Sequence, residues 1–286
     1  MIIVRLKGGL GNQLFQYLAG QAVGEKYNQS VKYELSYFQH GSAHPGINKQ
    51  KYQLDSLFST PVSKVQFEEL PLIAKALSNN YVNKLFRVLN LRDFREGAWH
   101  YLLQNRSRDK VVIPLNFENL LMDGYWQNLS LIQNYRKWIM GKISAKHISK
   151  AARMLFEEEK ENSIALHVRR TDLLSANSEV QSNGYYIKAI ALMKQYVKNP
   201  RFFVFSDDIF WCKEHLFQDI DADIVYSTNE TALDDFHCMM HCRHNIIACS
   251  TFSWWAAWLN SNEKKIVISP DFGGQKDILP EKWIIL

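Results

Sequence analysis

The chain has 286 residues, more than one ordinary domain needs, and its 47% hydrophobic and 13% aromatic content suffices for a substantial core. Its 34 basic and 29 acidic side chains leave a formal charge of +5, spread along the chain with no dense Lys/Arg block. This balance excludes a disordered chain and gives nucleic-acid binding no footing, while allowing an anionic small substrate or loose contact with an acidic membrane surface.

Residues 2–6 form a short β-branched run that reads as a strand. Arg5 and Lys7 cut it off too early for a signal peptide, and no segment approaches the roughly 20 apolar residues of a membrane span. With Cys212, Cys238, Cys242 and Cys249 then expected as reduced thiols, the sequence predicts a cytoplasmic protein. A glycine turn at 8–12 leads to a helix over 13–26 and a strand over 31–35; residues 40–60 read as irregular loop. Helical stretches near 68–78 and 129–140 and a strand near 111–115 fill the next part. From about 146 the pattern turns regular: helix 146–160, strand 163–168, helix 185–197, strand 202–205, helix 210–216, strand 223–226, helix 232–242, strand 245–248, helix 253–259 and strand 265–268. Five strands alternating with helices predict a parallel, doubly wound sheet, which binds ligands at the carboxyl ends of its strands. The fold class expected is α/β, with two Rossmann-like halves over 1–150 and 151–286.

His167-Val-Arg169-Arg170-Thr171-Asp172 stands where strand 163–168 ends. Adjacent arginines are costly there without an anion, and a guanidinium fork matches a pair of phosphate oxygens. Asp172 could orient one of them; the bland reading is a solvated basic turn. Gly8-Gly-Leu-Gly11-Asn12-Gln13 is neither a GxGxxG fingerprint nor a P-loop. It still offers backbone N–H groups at a helix start and two amide side chains, against the simpler reading of a tight turn. In the segment 245–255, Ser250, Thr251 and Ser253 can cap a helix, hold a phosphate, or do both, while Trp254, Trp255 and Trp258 suit packing. Tyr125, Trp126 and Gln127, after Asp123, offer a sugar its aromatic and amide contacts, or pack inward.

Two metal patterns were weighed. Asp219-Ile-Asp221-Ala-Asp223 contains Asp-x-Asp but precedes a strand, so it reads as a solvated loop. The cluster 237–244 with Cys249 has zinc-like composition but no Cys-x-x-Cys pair, and reads as a packed His/Cys helix. No metal or other cofactor is expected.

In this order the segments resemble glycosyltransferase family 11, the bacterial α-1,2-fucosyltransferases: GGLGNQLFQYLAG at 8–20, GYWQ at 124–127, HVRRTD at 167–172, GYYIKAI at 184–190, FSDD at 205–208 and HNIIACSTFSWWAAWLN at 244–260. The chain departs from the motif at Cys249, where the family carries Asn. The resemblance implies a GT-B-like fold of two Rossmann-like domains facing a cleft, the first on the acceptor side and the second binding GDP-L-fucose. It also implies an inverting, metal-independent transfer to the 2-hydroxyl of a terminal β-galactoside in a bacterial surface glycan, such as an O-antigen. Arg169 would grip the β-phosphate with His167 and Arg170 nearby, and Gly11, Asn12 and Gln13 would come from the other domain. Asn245 would stand near the guanine, and Ser250, Thr251, Phe252 and Ser253 would line the diphosphate side. Asp172, His167 and Asp123 are candidate bases. A fucosyltransferase of another linkage, a transferase using another nucleotide sugar, or a silent nucleotide-sugar- or glycan-binding protein is the competing reading; the missing GxGxxG disfavours an NAD-linked oxidoreductase. Peripheral contact with the cytoplasmic membrane face would suit surface-glycan assembly.

Overall fold

In the computed structural model, which describes residues 1–40, 50–104, 112–144, 162–170, 183–218 and 220–286, the opening apolar run forms β1 (Ile2–Arg5), buried throughout. Gly8 takes φ +77°, a left-handed conformation suited to glycine, and turns the chain into α1 (Leu10–Tyr27). The helix starts three residues before the spacing predicts, because the Gly9 carbonyl already accepts from the Asn12 and Gln13 amides (3.0 and 3.1 Å). Next come β2 (Val31–Glu34), α2 (Ser36–His40), α3 (Leu54–Leu57), a 3₁₀ turn at Phe67–Glu69, α4 (Leu72–Leu77) and α5 (Asn80–Val88). The stretch expected as loop over 40–60 therefore contains α3, whose Leu54 and Leu57 are buried; residues 41–49 lie outside the described residues.

A hairpin of β3 (Asp93–Glu96) and β4 (Trp99–Leu103) was not anticipated. Glu96 pairs with Trp99, leaving Gly97 (φ +55°) and Ala98 as a two-residue turn that needs glycine's conformational freedom. The strand expected near 111–115 is a correction: residues 112–115 form none, and Val112 and Leu115 are exposed, so no buried face anchors one. The strand lies further on, as β5 (Asn119–Asp123). The expected helix over 129–140 breaks into α6 (Leu129–Ile132), a 3₁₀ turn at Gln133–Tyr135 and α7 (Arg136–Met140). The sheet runs β2-β1-β5-β4-β3, parallel except at the β3 edge. Ile3, Tyr101, Leu103 and Leu121 pack from it against Ala74 and Leu77 of α4.

The chain divides into two units, Met1–Ser144 and Ala145–Leu286. In the second, the helix expected over 146–160 lies outside the described residues. There follow β6 (Ser163–Val168), α8 (Asn183–Tyr196), β7 (Arg201–Ser206), α9 (Ile209–Trp211) running into a π turn at Cys212–Leu216, β8 (Asp223–Tyr226), α10 (Ala232–His241), β9 (His244–Ile246), α11 (Thr251–Leu259), β10 (Val267–Ser269) and an unanticipated edge strand β11 (Ile284–Ile285). The sheet order is β11-β10-β9-β6-β7-β8, with every pair parallel. From β6 the chain steps outward to β8, then returns to the other side of β6 and steps outward again from β9. The adjacent carboxyl ends of β6 and β9 are therefore a topological switch point, the place where open parallel sheets take ligands. Tyr185 of α8 reinforces it, donating its buried hydroxyl to the Ile247 carbonyl (2.7 Å) just beyond β9.

Candidate functional site

Register explains the arginines. Val168, the last residue of β6, pairs with Ser206, the last of β7, so Arg169 and Arg170 emerge opposite Asp207 and Asp208. Arg169 Nη1 lies 3.3 Å from Asp207 Oδ2, and the Arg170 amide donates to Asp207 Oδ1 (3.0 Å). Arg170 Nε lies 3.2 Å from Asp208 Oδ2, with its guanidinium carbon 3.8 Å above the Trp211 ring. Asp208 also accepts the Trp211 amide (3.0 Å), so one carboxylate fixes both the arginine and the indole beneath it. The sequence pattern pointed to Asp172 for this orienting role; Thr171 and Asp172 lie outside the described residues, and Asp207, Asp208 and Trp211 do the holding. The signal was present in FSDD, had β6 and β7 been paired as neighbours ending in step.

His167 is 5% exposed, its ring centroid 5.7 Å from that of Phe252. Burial first, then the charge of Arg169, pushes its pKa down to about 3 against the opposing pull of Asp207, so the imidazole is neutral near pH 7. Its Nδ1 is buried without a hydrogen-bond partner among the described residues. Ser250 caps α11, accepting from the Phe252 amide (3.4 Å), and the buried Ser253 donates to the Ser250 carbonyl (3.4 Å). Thr251 and Phe252 are half-buried, and the first turn holds no acid, so the positive end of the helix dipole is uncompensated within α11. The half-buried Cys249 precedes it, and burial pushes its thiol up to about 11. Trp254, Trp255 and Trp258 are all buried, and the Trp254 indole donates to the Ile278 carbonyl (2.9 Å), so these indoles pack.

Asn245 is a correction. Lying inside β9, it donates to the Met239 carbonyl (2.8 Å) and accepts from Asn260 (2.8 Å), fully buried and not brought to the strand tips. Its amide ties β9 to the carboxyl ends of α10 and α11.

The carboxyl ends of β1 and β5 gather the N-terminal candidates. Asn12 Oδ1 accepts from Gln127 Nε2 (2.8 Å), so the glycine loop and the GYWQ turn meet through these two amides. Gly11 is buried in the first turn of α1. Gln13, expected to offer its amide to a ligand, is a second correction: it donates to the Gly8 and Lys51 carbonyls (2.9 and 2.8 Å) and accepts from the Gln53 amide (3.0 Å). Its work is to staple the loop to the segment at 51–53. Trp126 is buried with φ +53°, a conformation rare outside glycine, held by Gln104 Oε1, which accepts from both the Tyr125 and Trp126 amides (2.8 and 2.9 Å). The half-buried Tyr125 ring lies 5.1 Å from Lys7 Nζ.

Asp123 ends β5 at 1% exposure and accepts from Arg5 Nη1 (2.9 Å), Lys7 Nζ (2.5 Å), Arg87 Nη2 (3.2 Å) and Asn83 Nδ2 (2.7 Å). Burial alone would raise its pKa; the charges of Lys7, Arg5 and Arg87 overcome that and hold it far below the carboxylate range. So poor a proton acceptor does not suit the base role weighed for it. Arg5, itself buried, adds an ion pair to Glu34 and bonds to the Ala74 and Leu77 carbonyls (2.9 Å each).

Elsewhere, Asp223 pairs with Arg201 (3.2 Å) at the first register position of β8 and β7, the sheet edge opposite the arginine tips. His237 and His241 share a face of α10, with centroids 6.5 Å apart and His241 Nδ1 2.8 Å from the His237 carbonyl. Among the described residues no three His, Cys, Asp or Glu side chains converge as metal ligands.

The chain is similar to known proteins along nearly its whole length. The model of the family described as glycosyl transferase family 11 matches residues 1–284. An alpha-1,2-colitosyltransferase from Escherichia coli is 31% identical over 300 residues, covering 99% of this chain and 98% of that one. The O-antigen biosynthesis glycosyltransferase WbnK, also from Escherichia coli, is 28% identical with 98% and 99% covered. Mouse galactoside alpha-(1,2)-fucosyltransferase 2 is 30% identical over 104 residues, 34% of this chain and 30% of that one. Among solved structures, the fucosyltransferase NodZ from Bradyrhizobium matches with TM-score 0.51 at 14% identity, covering 89% of this chain and 92% of NodZ. POFUT1 in complex with GDP matches with TM-score 0.54 at 12% identity, covering 99% and 97%. At such identities the likeness speaks for the fold alone, an α/β fold of the GT-B-like class. Taken with the match along nearly its whole length, the chain belongs to glycosyl transferase family 11.

Proposed function

We propose that this glycosyltransferase moves L-fucose from GDP-L-fucose to the 2-hydroxyl of a terminal β-galactoside, with inversion at the sugar carbon and without a metal. The observation that carries the reading is the pair Arg169–Arg170, each guanidinium held by its own carboxylate at the β6–β9 switch point beside the α11 N-terminus. In the reaction the bond from fucose C1 to the β-phosphate oxygen breaks and its electron pair stays on GDP. The acceptor oxygen forms the new bond at C1 and loses its proton. Charge grows on the phosphate as the bond breaks, so a fixed Arg169 stabilises the transition state more than the bound donor. Arg170, the α11 first turn, Thr251 and Ser253 would complete the diphosphate site. His167 is a weak base at a pKa of about 3, which favours a positioning or hydrogen-bonding role and leaves proton removal to Asp172 or to a largely dissociative reaction. Asn12, Gln127 and Tyr125 supply sugar contacts on the N-terminal unit.

A second reading, transfer of colitose, is favoured by the relative named an alpha-1,2-colitosyltransferase. Colitose is L-fucose without its 3-hydroxyl. A site built to bond that hydroxyl rejects the deoxy sugar by roughly ten-thousandfold or more, whereas an apolar pocket discriminates weakly. The test is incubation with lactose and EDTA, with GDP-L-fucose and GDP-colitose in separate reactions, and product linkage read by NMR. An α-1,2-fucosylated product formed faster than its colitosyl counterpart supports the first reading, and the reverse preference supports the second. GDP binding without turnover on any galactoside, or transfer that requires added Mn²⁺, overturns the mechanism.

A further inference from the structure

Helix α5 packs Phe86 against the core yet turns an apolar stripe outward. Asn83 and Arg87, one turn apart, face the protein, where both donate to the buried Asp123 carboxylate and Arg87 also reaches the Gln104 carbonyl. The opposite stripe, spaced by four and three residues, is Tyr81, Leu85 and Val88, exposed to 84%, 53% and 73%. Leu72 of α4 and, just beyond α5, Leu89 and Leu91 are exposed as well. A water-facing helix normally carries its polar residues outward, so a fixed polar interior face with an apolar exterior is a surface with a use. Its charge indicates the partner. Lys84 flanks the apolar stripe and, like Arg92, is exposed, whereas Arg87 is turned inward to Asp123 and Lys75 donates to the Glu68 carbonyl (2.7 Å). An apolar stripe flanked by the exposed Lys84 and followed by the exposed Arg92 matches a lipid surface with anionic headgroups, where the stripe enters the acyl boundary and the cations meet phosphate. Among the described residues no helix is long and apolar enough to cross a membrane, so such contact would be interfacial.

We infer that the α4–α5 surface, centred on Tyr81, Leu85 and Val88, docks this protein on an anionic bilayer. The inference depends on neither donor nor acceptor identity. Sedimentation of the full chain with phosphatidylglycerol–phosphatidylcholine vesicles, against phosphatidylcholine alone, tests it without any turnover. The native chain should bind the anionic vesicles more tightly, with binding weakened by salt. Leu85→Asp should lower the partition coefficient by roughly tenfold or more, and Lys84→Glu should weaken binding to anionic vesicles selectively. Both side chains are exposed, so thermal melting and transfer to a soluble acceptor should match the native protein. Failure of the native chain to bind anionic vesicles, or binding indifferent to both substitutions, overturns the inference. So does a concentration-dependent dimer, in sedimentation velocity, that Leu85→Asp dissolves, since the face would then be a contact between copies.

Discussion

Replacing Asp123 with Asn would separate a structural carboxylate from a catalytic one. The native group is buried among Arg5, Lys7 and Arg87, with Glu34 as the other anion of the cluster. Asn keeps the shape but removes the charge, leaving three cations against one carboxylate. Removing one partner of a buried ion pair costs about 3–5 kcal/mol. Lys7 and Arg87 retain 12% and 18% side-chain exposure, so water can relieve part of the excess charge and the lower end, about 3 kcal/mol, applies. For a unit of this size that lowers the melting temperature of the N-terminal half by about 6–12 °C. The assay is scanning calorimetry with GDP added in parallel, so that a transition belonging to the C-terminal half is recognised by its shift. Acid sharpens the test. The folded pKa of Asp123 is depressed, so its contribution is complete above the unfolded carboxylate value of about 3.9 and is lost as pH falls below it. Native protein should therefore lose stability below about pH 4 more steeply than the variant. An Asp123→Asn protein that melts like the native one but no longer turns over would refute this account and restore Asp123 as a base.

Arg169→Ala should lower kcat by about a hundredfold to a thousandfold with circular dichroism unchanged; near-normal turnover removes it from the reaction. Asp207→Ala, which removes the carboxylate that meets both the Arg169 guanidinium and the Arg170 amide, should lower kcat by about tenfold, with Asp207→Asn intermediate because it keeps one acceptor. Equal kinetics for the two variants would speak against a positioning role. His167 has a folded pKa lowered to about 3, so the unfolded chain binds its proton first. Stability should fall as pH drops from the unfolded value of about 6.5 toward 3, a loss that His167→Phe should reduce in urea denaturation at pH 7 and pH 5. GDP affinity should depend only weakly on added KCl, because Asp207 and Asp208 balance the two arginines; a steep loss by calorimetry would show an unbalanced cationic site.

The strand tips were legible because parallel β/α alternation announces itself: the apolar core of β6, the aromatic β7 and the apolar stretch Ile246-Ile-Ala248 running on from β9 are bounded by turn residues, and HVRR falls where β6 stops. The hairpin was harder to see. Its turn is Gly97-Ala98, its outer strand is the polar Asp93–Glu96, and the exposed edge has no apolar alternation to betray it. Gln13 and Asn245 were misread for one shared reason. An amide next to a ligand motif satisfies backbone groups as readily as it satisfies a ligand, and only the fold reveals that the Gly8, Lys51 and Met239 carbonyls lie within its reach. The inverted face of α5 could not be read either, because apolar spacing shows that a helix has two faces without showing which one meets the protein.

The two carboxylates behind the arginines bear on how the site works. A free arginine loses about 2 kcal/mol of rotamer freedom when it is fixed. Here Asp207, Asp208 and the Trp211 ring impose that order within the protein, before any donor arrives. Pairing costs the site net charge, since two guanidiniums facing two carboxylates sum to zero. What survives is direction. A guanidinium has five N–H donors, and a carboxylate on one edge leaves the planar fork geometry intact for an anion approaching another. On the proposed mechanism such a site would attract ground-state diphosphate only modestly from a distance, yet would meet the charge that grows during bond breaking with dipoles already in place. On that mechanism a neutral His167 beside Arg169 has the same logic: a third cation would strengthen binding of donor and product alike and slow release of GDP, whereas a buried neutral imidazole would add polarity without that penalty.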